Sequence, residues 1–389
     1  MTSQSRTVVL LSAILALTGC SGTSPSPVFV GHIVSHLDRT SGKSAARGIR
    51  LAVIEANKDP DKGAGRPVKV IHTDTVGKLE GFEGEAVRLV AINRVAALLG
   101  GTTLEEVERL EMGSAPLKEE KRLDLAVPVL SPCGMRPRTA TDAVFCTGLS
   151  PASRGKILAR FAVDELKIQR TVVLVDERRE ECLRLADVFT RQFPLAAAKN
   201  DPKATPARPT LLRFDKDNEL LDRVPVLKDM KPGLLLFLGT TTDLRRLRQE
   251  LHDPALPVLF GGDESNLRPL LEDRETGEKV YLVTAFAVDA DVPRAQEFAK
   301  QFKATFADEP DVHAALAYDD ARLLFEAIRQ TKDELTGPRL RDELAKLKDF
   351  PGVTGPLSFG EDRQLRRPAF VVRLQEGRPQ IVKRYGADE

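Results

Sequence analysis

From Val28 onward, short apolar runs alternate with segments in which apolar residues return every three or four positions. The first pattern suits buried strands of a parallel sheet and the second suits amphipathic helices. Val28 to Gly31 predicts a first strand, followed by a loop from His32 to Gly42 and a helix near Ala45 to Asn57. Val68 to His72 is the next strand and Glu83 to Ile92 the next helix. Val95 to Leu99 is a strand ending in Gly100-Gly101-Thr102-Thr103, after which Leu104 to Leu110 is helical and Val127 to Leu130 is again a strand.

The same rhythm restarts after Ser150. Arg154 to Leu166, Glu181 to Phe193 and Leu244 to Leu251 predict helices, and Thr171 to Val175, Leu234 to Leu238, Val258 to Phe260 and Val280 to Thr284 predict strands. Ala196 to Pro209, rich in Ala, Lys and Pro, is expected to loop out. Two long helices follow, Pro293 to Phe306 and Val312 to Gln330. The tail changes character: Gly355 to Phe359, Phe370 to Leu374 and Gln380 to Tyr385 alternate like strands between Gly and Pro turns. The expectation is two α/β halves with a β-rich tail, which agrees with a length of 389 residues, more than one core usually serves.

The N-terminus adds a processing signal. Arg6 precedes an apolar stretch from Thr7 to Thr18 that is too short to span a bilayer but right for the core of a signal peptide. It ends in Leu17-Thr18-Gly19-Cys20, which resembles a bacterial lipobox, so Cys20 is expected to become a lipidated N-terminus after cleavage. Several acyl chains together give stable anchoring. Ser21 to Pro27 then reads as a tether.

Charge changes little in this picture. There are 58 basic and 57 acidic residues, a formal net charge of +1, and no basic excess of the kind a nucleic-acid partner requires. The charged runs Lys118 to Arg122 and Arg245 to Arg248 read as solvated helix faces. Cys133, Cys146 and Cys182 remain after Cys20, an odd number, with Cys133 and Cys146 placed where a bridge is conceivable. His32 and His36 have helical spacing, but the Gly, Ser and Asp around them indicate a loop, and no third metal ligand is apparent. With no P-loop, no GxSxG and no metal constellation, an enzyme is not expected, and no cofactor is expected.

Several strings, in order, resemble the type I periplasmic-binding fold and in particular the branched-chain amino acid-binding family. They are Gly42 and Gly48 with Ile49 to Asn57, Val68 to Asp74, Val95 to Thr103, Val127-Pro128-Val129-Leu130-Ser131-Pro132, and Ala317-Tyr318-Asp319-Asp320-Ala321. The resemblance spans roughly Val28 to Tyr385. It implies two doubly wound parallel-sheet lobes joined by a three-strand hinge, with a small-molecule ligand between them. Residues 1–20 would be the signal, 21–27 the tether, 28–146 and 287–334 the first lobe, and 147–286 and 335–389 the second. The crossings between lobes are expected near Val144 to Leu149, Ala285 to Val288 and Leu335 to Pro356.

Carried over residue by residue, the resemblance nominates Thr102 and Thr103, whose backbone amides could hold a ligand carboxylate at a helix start. Thr103-Leu104-Glu105-Glu106 also reads as a capping box, and both roles stay open. In Ser131 to Arg136 the family places amides and a Thr against an amino acid carboxylate; here Met135 stands at the Thr position, Gly134 could still offer its amide, and Arg136 is a further anion partner. Asp263 keeps the acid that pairs with a ligand ammonium, or else caps the helix near Leu267. Glu180, Thr241 and Ser41 stand where aromatics are common, so the usual apolar walls are missing. Tyr318 is expected to be a packing residue.

The expected function is that of an extracytoplasmic solute-binding lipoprotein. It would be anchored to a bacterial membrane by its lipid, monomeric, and deliver an amino acid or a related polar compound to an ABC permease. The departures at the site imply either a changed ligand or a fold that no longer binds amino acids. The alternative is a lipoprotein of the same fold that regulates cell-wall synthesis through protein contacts or senses a ligand.

Overall fold

Strand β1 (Val28–Val34) pairs in parallel with β2 (Val68–Asp74) on one side and β3 (Leu98–Gly100) on the other, and β4 (Val129–Ser131) and β5 (Val144–Cys146) extend the sheet. The strand order is β2-β1-β3-β4-β5. The structure is a computed structural model that describes residues 25–114, 126–138, 140–200, 208–262, 267–332 and 334–387. The expected signal peptide, Cys20 and Asp263 lie outside the described residues. Helices α1 (Thr40–Lys58), α2 (Leu79–Val87) with a π-helical turn at Arg88–Ile92, and α3 (Leu104–Ser114) connect these strands.

A second unit follows. It comprises α4 (Pro151–Asp164), β6 (Thr171–Asp176), α5 (Glu180–Asn200), β7 (Thr210–Phe214), α6 (Asp217–Asp222), α7 (Val224–Met230), β8 (Leu234–Leu238), α8 (Thr241–Leu251), β9 (Val258–Phe260), α9 (Leu267–Glu272), α10 (Arg274–Gly277) and β10 (Val280–Thr284). The chain then returns through α11 (Pro293–Phe306), α12 (Val312–Thr331) and α13 (Gly337–Lys346), forms a small antiparallel sheet from β11 (Phe350–Gly352), β12 (Gly355–Phe359) and β13 (Leu365–Arg366), and ends in β14 (Ala369–Gln375) and β15 (Arg378–Tyr385). The larger sheet runs β15-β14-β10-β9-β8-β6-β7, parallel from β7 to β10 and antiparallel at β14 and β15. Every residue of β8, LLLFL, is buried, as a central parallel strand covered on both faces requires. Two doubly wound parallel-sheet lobes are therefore present.

Helix α12 packs against α1 so closely that a Cβ on Gly48 would come within 2.1 Å of the Ala314 carbonyl oxygen. Its adjacent acids tie down the connecting segments. Asp319 accepts hydrogen bonds from the Val353 and Thr354 amides (2.8 and 3.0 Å) and the Thr354 hydroxyl (2.7 Å), and Asp320 accepts one from the Thr147 hydroxyl (2.9 Å). Gln364 bridges to Cys146, beside the first crossing.

Several local expectations change. β1 continues to Val34, so His32 lies in a strand, in register with His72 of β2, and not in a loop. Helix α5 runs through Pro194 to Asn200, beyond the loop expected from Ala196, because the Ala-rich end favours helix enough to tolerate one missing backbone donor. β7 is an edge strand whose Thr210 and Leu211 face solvent, so its segment lacks the buried apolar run that marks the central strands. The segment in which the sequence expects the third crossing, Leu335 to Pro356, holds α13 and β11, which pack on α12, and the large sheet resumes at Ala369. Cys133, Cys146 and Cys182 are free, buried thiols, so the conceivable bridge is not formed. No helix among the described residues is long and apolar enough to cross a membrane.

Candidate functional site

In the smaller sheet the direction of chain progression reverses between β1 and β3. At such a switch point the loops leave in opposite directions and open a crevice at the carboxyl ends of the strands. A cavity of about 180 Å3 lies there. Its walls come from the end of β1 (Ile33, Val34) with Ser35 and His36, the end of β3 with Gly101 and Thr102, the start of α1 (Ser41, Gly42, Ala45), and His313, Leu316, Ala317 and Asp320 of α12. Gly100 is required at the rim: its φ is +129°, and a Cβ there would meet the Ile33 carbonyl oxygen at 2.0 Å.

The turn from β3 into α3 is held by one side chain. Glu106 is 8% exposed, and its Oε2 accepts hydrogen bonds from the Thr102 amide (2.7 Å), the Thr102 hydroxyl (2.9 Å) and the Thr103 amide (3.2 Å). Its Oε1 accepts the Ser35 hydroxyl, and its own amide donates to the Thr103 hydroxyl at 3.2 Å. The capping box read from the sequence is present. The amides nominated for a ligand carboxylate already have a carboxylate, supplied by the chain itself.

Two further groups shape the cavity. His32 lines it and is 2% exposed; its Nδ1 lies 2.8 Å from Nδ1 of His72, with the rings edge to face. Burial, with a smaller contribution from His72, holds the His32 ring down to about pH 3 for protonation, so it is neutral in ordinary conditions. Burial likewise lowers His72, assisted by Arg50. Asp320 is 3% exposed, and its Oδ1 has no hydrogen-bond partner among the described residues. Burial pushes its carboxyl up to about 7 against the pull of Arg367.

Of the residues nominated from the sequence, Ser41 and Thr102 line the cavity, and Thr103 caps α3 at its edge. Gly134 packs against the first crossing, where a Cβ would meet the Leu149 carbonyl oxygen at 2.2 Å. Met135 is buried beside Val107, Cys133, Val144 and Cys146, because the loop turns its apolar side chain into the core. The Arg136 guanidinium donates to the Ala140 and Thr141 carbonyls (3.2 and 2.6 Å) and is consumed by its own loop. In the second lobe Glu180 is exposed and paired with Arg184 (2.5 Å), its neighbour one helical turn on, and Thr241 begins α8. Neither lines the cavity.

The carboxyl edge of the second lobe is instead organised by Arg154, 4% exposed, which pairs with Glu181 and donates to the Gly262 carbonyl at 2.8 Å. Asp176, at the end of β6, is taken by Arg178 at 2.8 Å. As expected, Tyr318 is a packing residue; its ring packs tilted against Phe298 (centroids 4.8 Å apart) and its hydroxyl donates to Glu55 at 2.5 Å. His32, His313 and Asp320 also line the cavity and Glu106 holds the turn at its rim, and the sequence nominates none of the four for a ligand. Only Glu106 had a signal in the sequence, as the fourth residue of the capping box, and that signal concerned the helix. Among the described residues no group of three or more His, Cys, Asp or Glu is arranged to hold a metal ion.

The sequence model of a family described as periplasmic binding protein matches residues 33–196 and 244–379. Solved structures share the fold at low identity. The branched-chain amino acid transporter substrate-binding protein LivJ from Streptococcus pneumoniae, in complex with isoleucine, is 19% identical, with 93% of this chain and 99% of that chain covered and a TM-score of 0.71. A leucine-binding protein, LivK, from Thermotoga maritima is 18% identical over 93% and 99%, with a TM-score of 0.72. An ABC transporter solute-binding protein from R. palustris in complex with benzoate is 14% identical over 93% and 97%, with a TM-score of 0.70.

Proposed function

The chain belongs to the periplasmic binding protein family, and from that premise we propose that it captures a small polar solute between its lobes and presents it to an ABC permease. The family's place of work is outside the cytoplasm. The observation that carries the reading is the open cavity of about 180 Å3 at the switch point of the smaller sheet, with apolar walls and a few polar groups, the usual character of a small-molecule site. In this reading the first lobe is residues 28–146 with the α11 to β13 region, and the second is residues 151–284 with β14 and β15. A solute that touches both lobes favours the closed form in proportion to its differential affinity. Cleavage before Cys20 and lipidation of its thiol would tether a monomer to the membrane. No catalytic role is assigned.

Amino acids and related polar compounds are the first solutes to test, since isoleucine and benzoate are bound by structural neighbours. A thermal-unfolding screen of the full chain should find a solute that, at about 100 times its dissociation constant, adds roughly 2.7 kcal/mol of stability. Silence across a broad library, together with capture of a cell-wall enzyme, would replace this reading with the regulator of cell-wall synthesis.

A further inference from the structure

The first lobe carries an anion-binding turn that is already full and, in the cavity wall, an acceptor that is not. At the start of α3, the Thr102 and Thr103 amides and the Thr102 and Ser35 hydroxyls all converge on Glu106. A second carboxylate brought to the same donors would have to displace the first or share them at like-charge repulsion. Asp320 presents the opposite need. It lines the cavity and is nine-tenths buried and more, Thr147 uses only its Oδ2, and Oδ1 accepts nothing from any described residue. Arg367 lies close enough to influence its charge and does not line the cavity; its Nη1 donates to the Thr354 hydroxyl (3.3 Å), while its Nε and Nη2 are buried with no partner among the described residues and do not reach Asp320. Buried acceptors are rarely left open, and a small turn of the Asp320 side chain, which lines the cavity, would bring its shielded Oδ1 to a donor held there.

We propose that Glu106 fills the carboxylate position of the first lobe, so that the solute enters this cavity with an N–H or O–H donor directed at Asp320. This deepens the solute-binding reading and rests on it. Glu106 is then a specificity-determining residue: it selects against acids by occupying their donors, while the apolar walls, Ile33, Leu99 and Leu316 among them, accommodate the rest of the solute. Neutral His32, beside His72, adds no positive charge, and Arg39, the guanidinium that also lines the cavity, is exposed to solvent.

Benzylamine, benzyl alcohol and benzoate have the same ring and differ in the head group, so calorimetric titration of the full chain with each at pH 8 tests the proposal. Benzylamine or benzyl alcohol should bind at least about tenfold more tightly than benzoate, the worth of one hydrogen bond to a charged acceptor, and Asp320→Asn should remove most of the preference for the amine. Which of the two binds better distinguishes a cationic from an uncharged donor. In Glu106→Ala, benzoate should gain about tenfold, and acetate should raise the Tm of the variant but not of the wild type. Glu106→Asp, which keeps the cap but is one methylene shorter, should show the same gain in weaker form if the alanine variant does not fold. Benzoate binding to the wild type as well as the amine does, no binding of any of the three, or failure of both variants to gain benzoate or respond to acetate would each overturn the proposal. A carboxylate solute emerging from the broad library with Glu106 displaced would sink it while leaving solute capture intact. Library silence with acetate rescue of Glu106→Ala would do the reverse for the capping carboxylate.

Discussion

The two lobes each end a parallel strand in a Gly-Thr turn that starts a helix, β3 into α3 and β8 into α8, and each turn is closed by a capping box. In the second lobe, Thr240 caps α8, and Asp243, 5% exposed, accepts from the Thr240 hydroxyl (2.6 Å) and amide (3.2 Å). Its reach ends there. In the first lobe the acid is Glu106, one methylene longer, and it also takes the Thr102 amide and hydroxyl and crosses to Ser35, which follows β1. The same motif is a local cap in one lobe and a tie across two strand ends, beside a cavity, in the other.

Removing the acid from each turn tests that difference most strongly. Glu106→Ala leaves several donors without their acceptor and should cost about 3 kcal/mol in denaturant unfolding, whereas Asp243→Ala should cost about 1 kcal/mol, the ordinary value of a cap. Equal losses would mean that the contacts to Ser35 and Thr102 contribute nothing.

Between these two effects stands Asp320→Asn, whose consequence depends on pH. The Asp320 carboxyl is raised from 3.8 to about 7, so in that window the folded chain holds a proton that the unfolded chain has released. Wild-type stability from this group therefore falls as pH rises from about 4 to 7, and the Asn variant should gain on the wild type by on the order of 2 kcal/mol between pH 5 and pH 8. His32, lowered from 6.5 to about 3, acts in the opposite sense and is common to both proteins, so it drops out of the comparison. A difference that does not change with pH would show that Asp320 is already ionised at pH 5. Glu106→Asp restores the second lobe's geometry in the first: it keeps the cap, gives up the contacts to Thr102 and Ser35, and should cost about 2 kcal/mol, the difference between the two alanine variants.

How far the site was legible follows from where its residues sit in the chain. Ser41 and Thr102 could be nominated because each lies in a turn whose glycines and hydroxyls announce a helix start, and both line the cavity. Met135 and Arg136 could not be judged from their loop. Whether a side chain there faces a cleft, a core or its own carbonyls depends on how the loop folds back, and here Met135 joins Val107 and Cys146 while Arg136 caps residues 140 and 141. Asp320 was read only as part of a helix string, since nothing local reveals that one of its oxygens remains open.

The alternation of apolar runs and amphipathic segments determined two parallel-sheet lobes, because periodicity records which face of each element must be buried, and that is a property of neighbouring residues. The Gly-Thr turns and their capping acids were fixed in the same way, within a few positions of one another. Only the tertiary structure decided that Glu106 would meet Ser35 from a separate strand, that His32 would face His72, and that Asp320 and His313 would close a cavity opened by β1 and β3. Those meetings join residues dozens to hundreds of positions apart, and their geometry is set by strand order and helix packing rather than by any local preference.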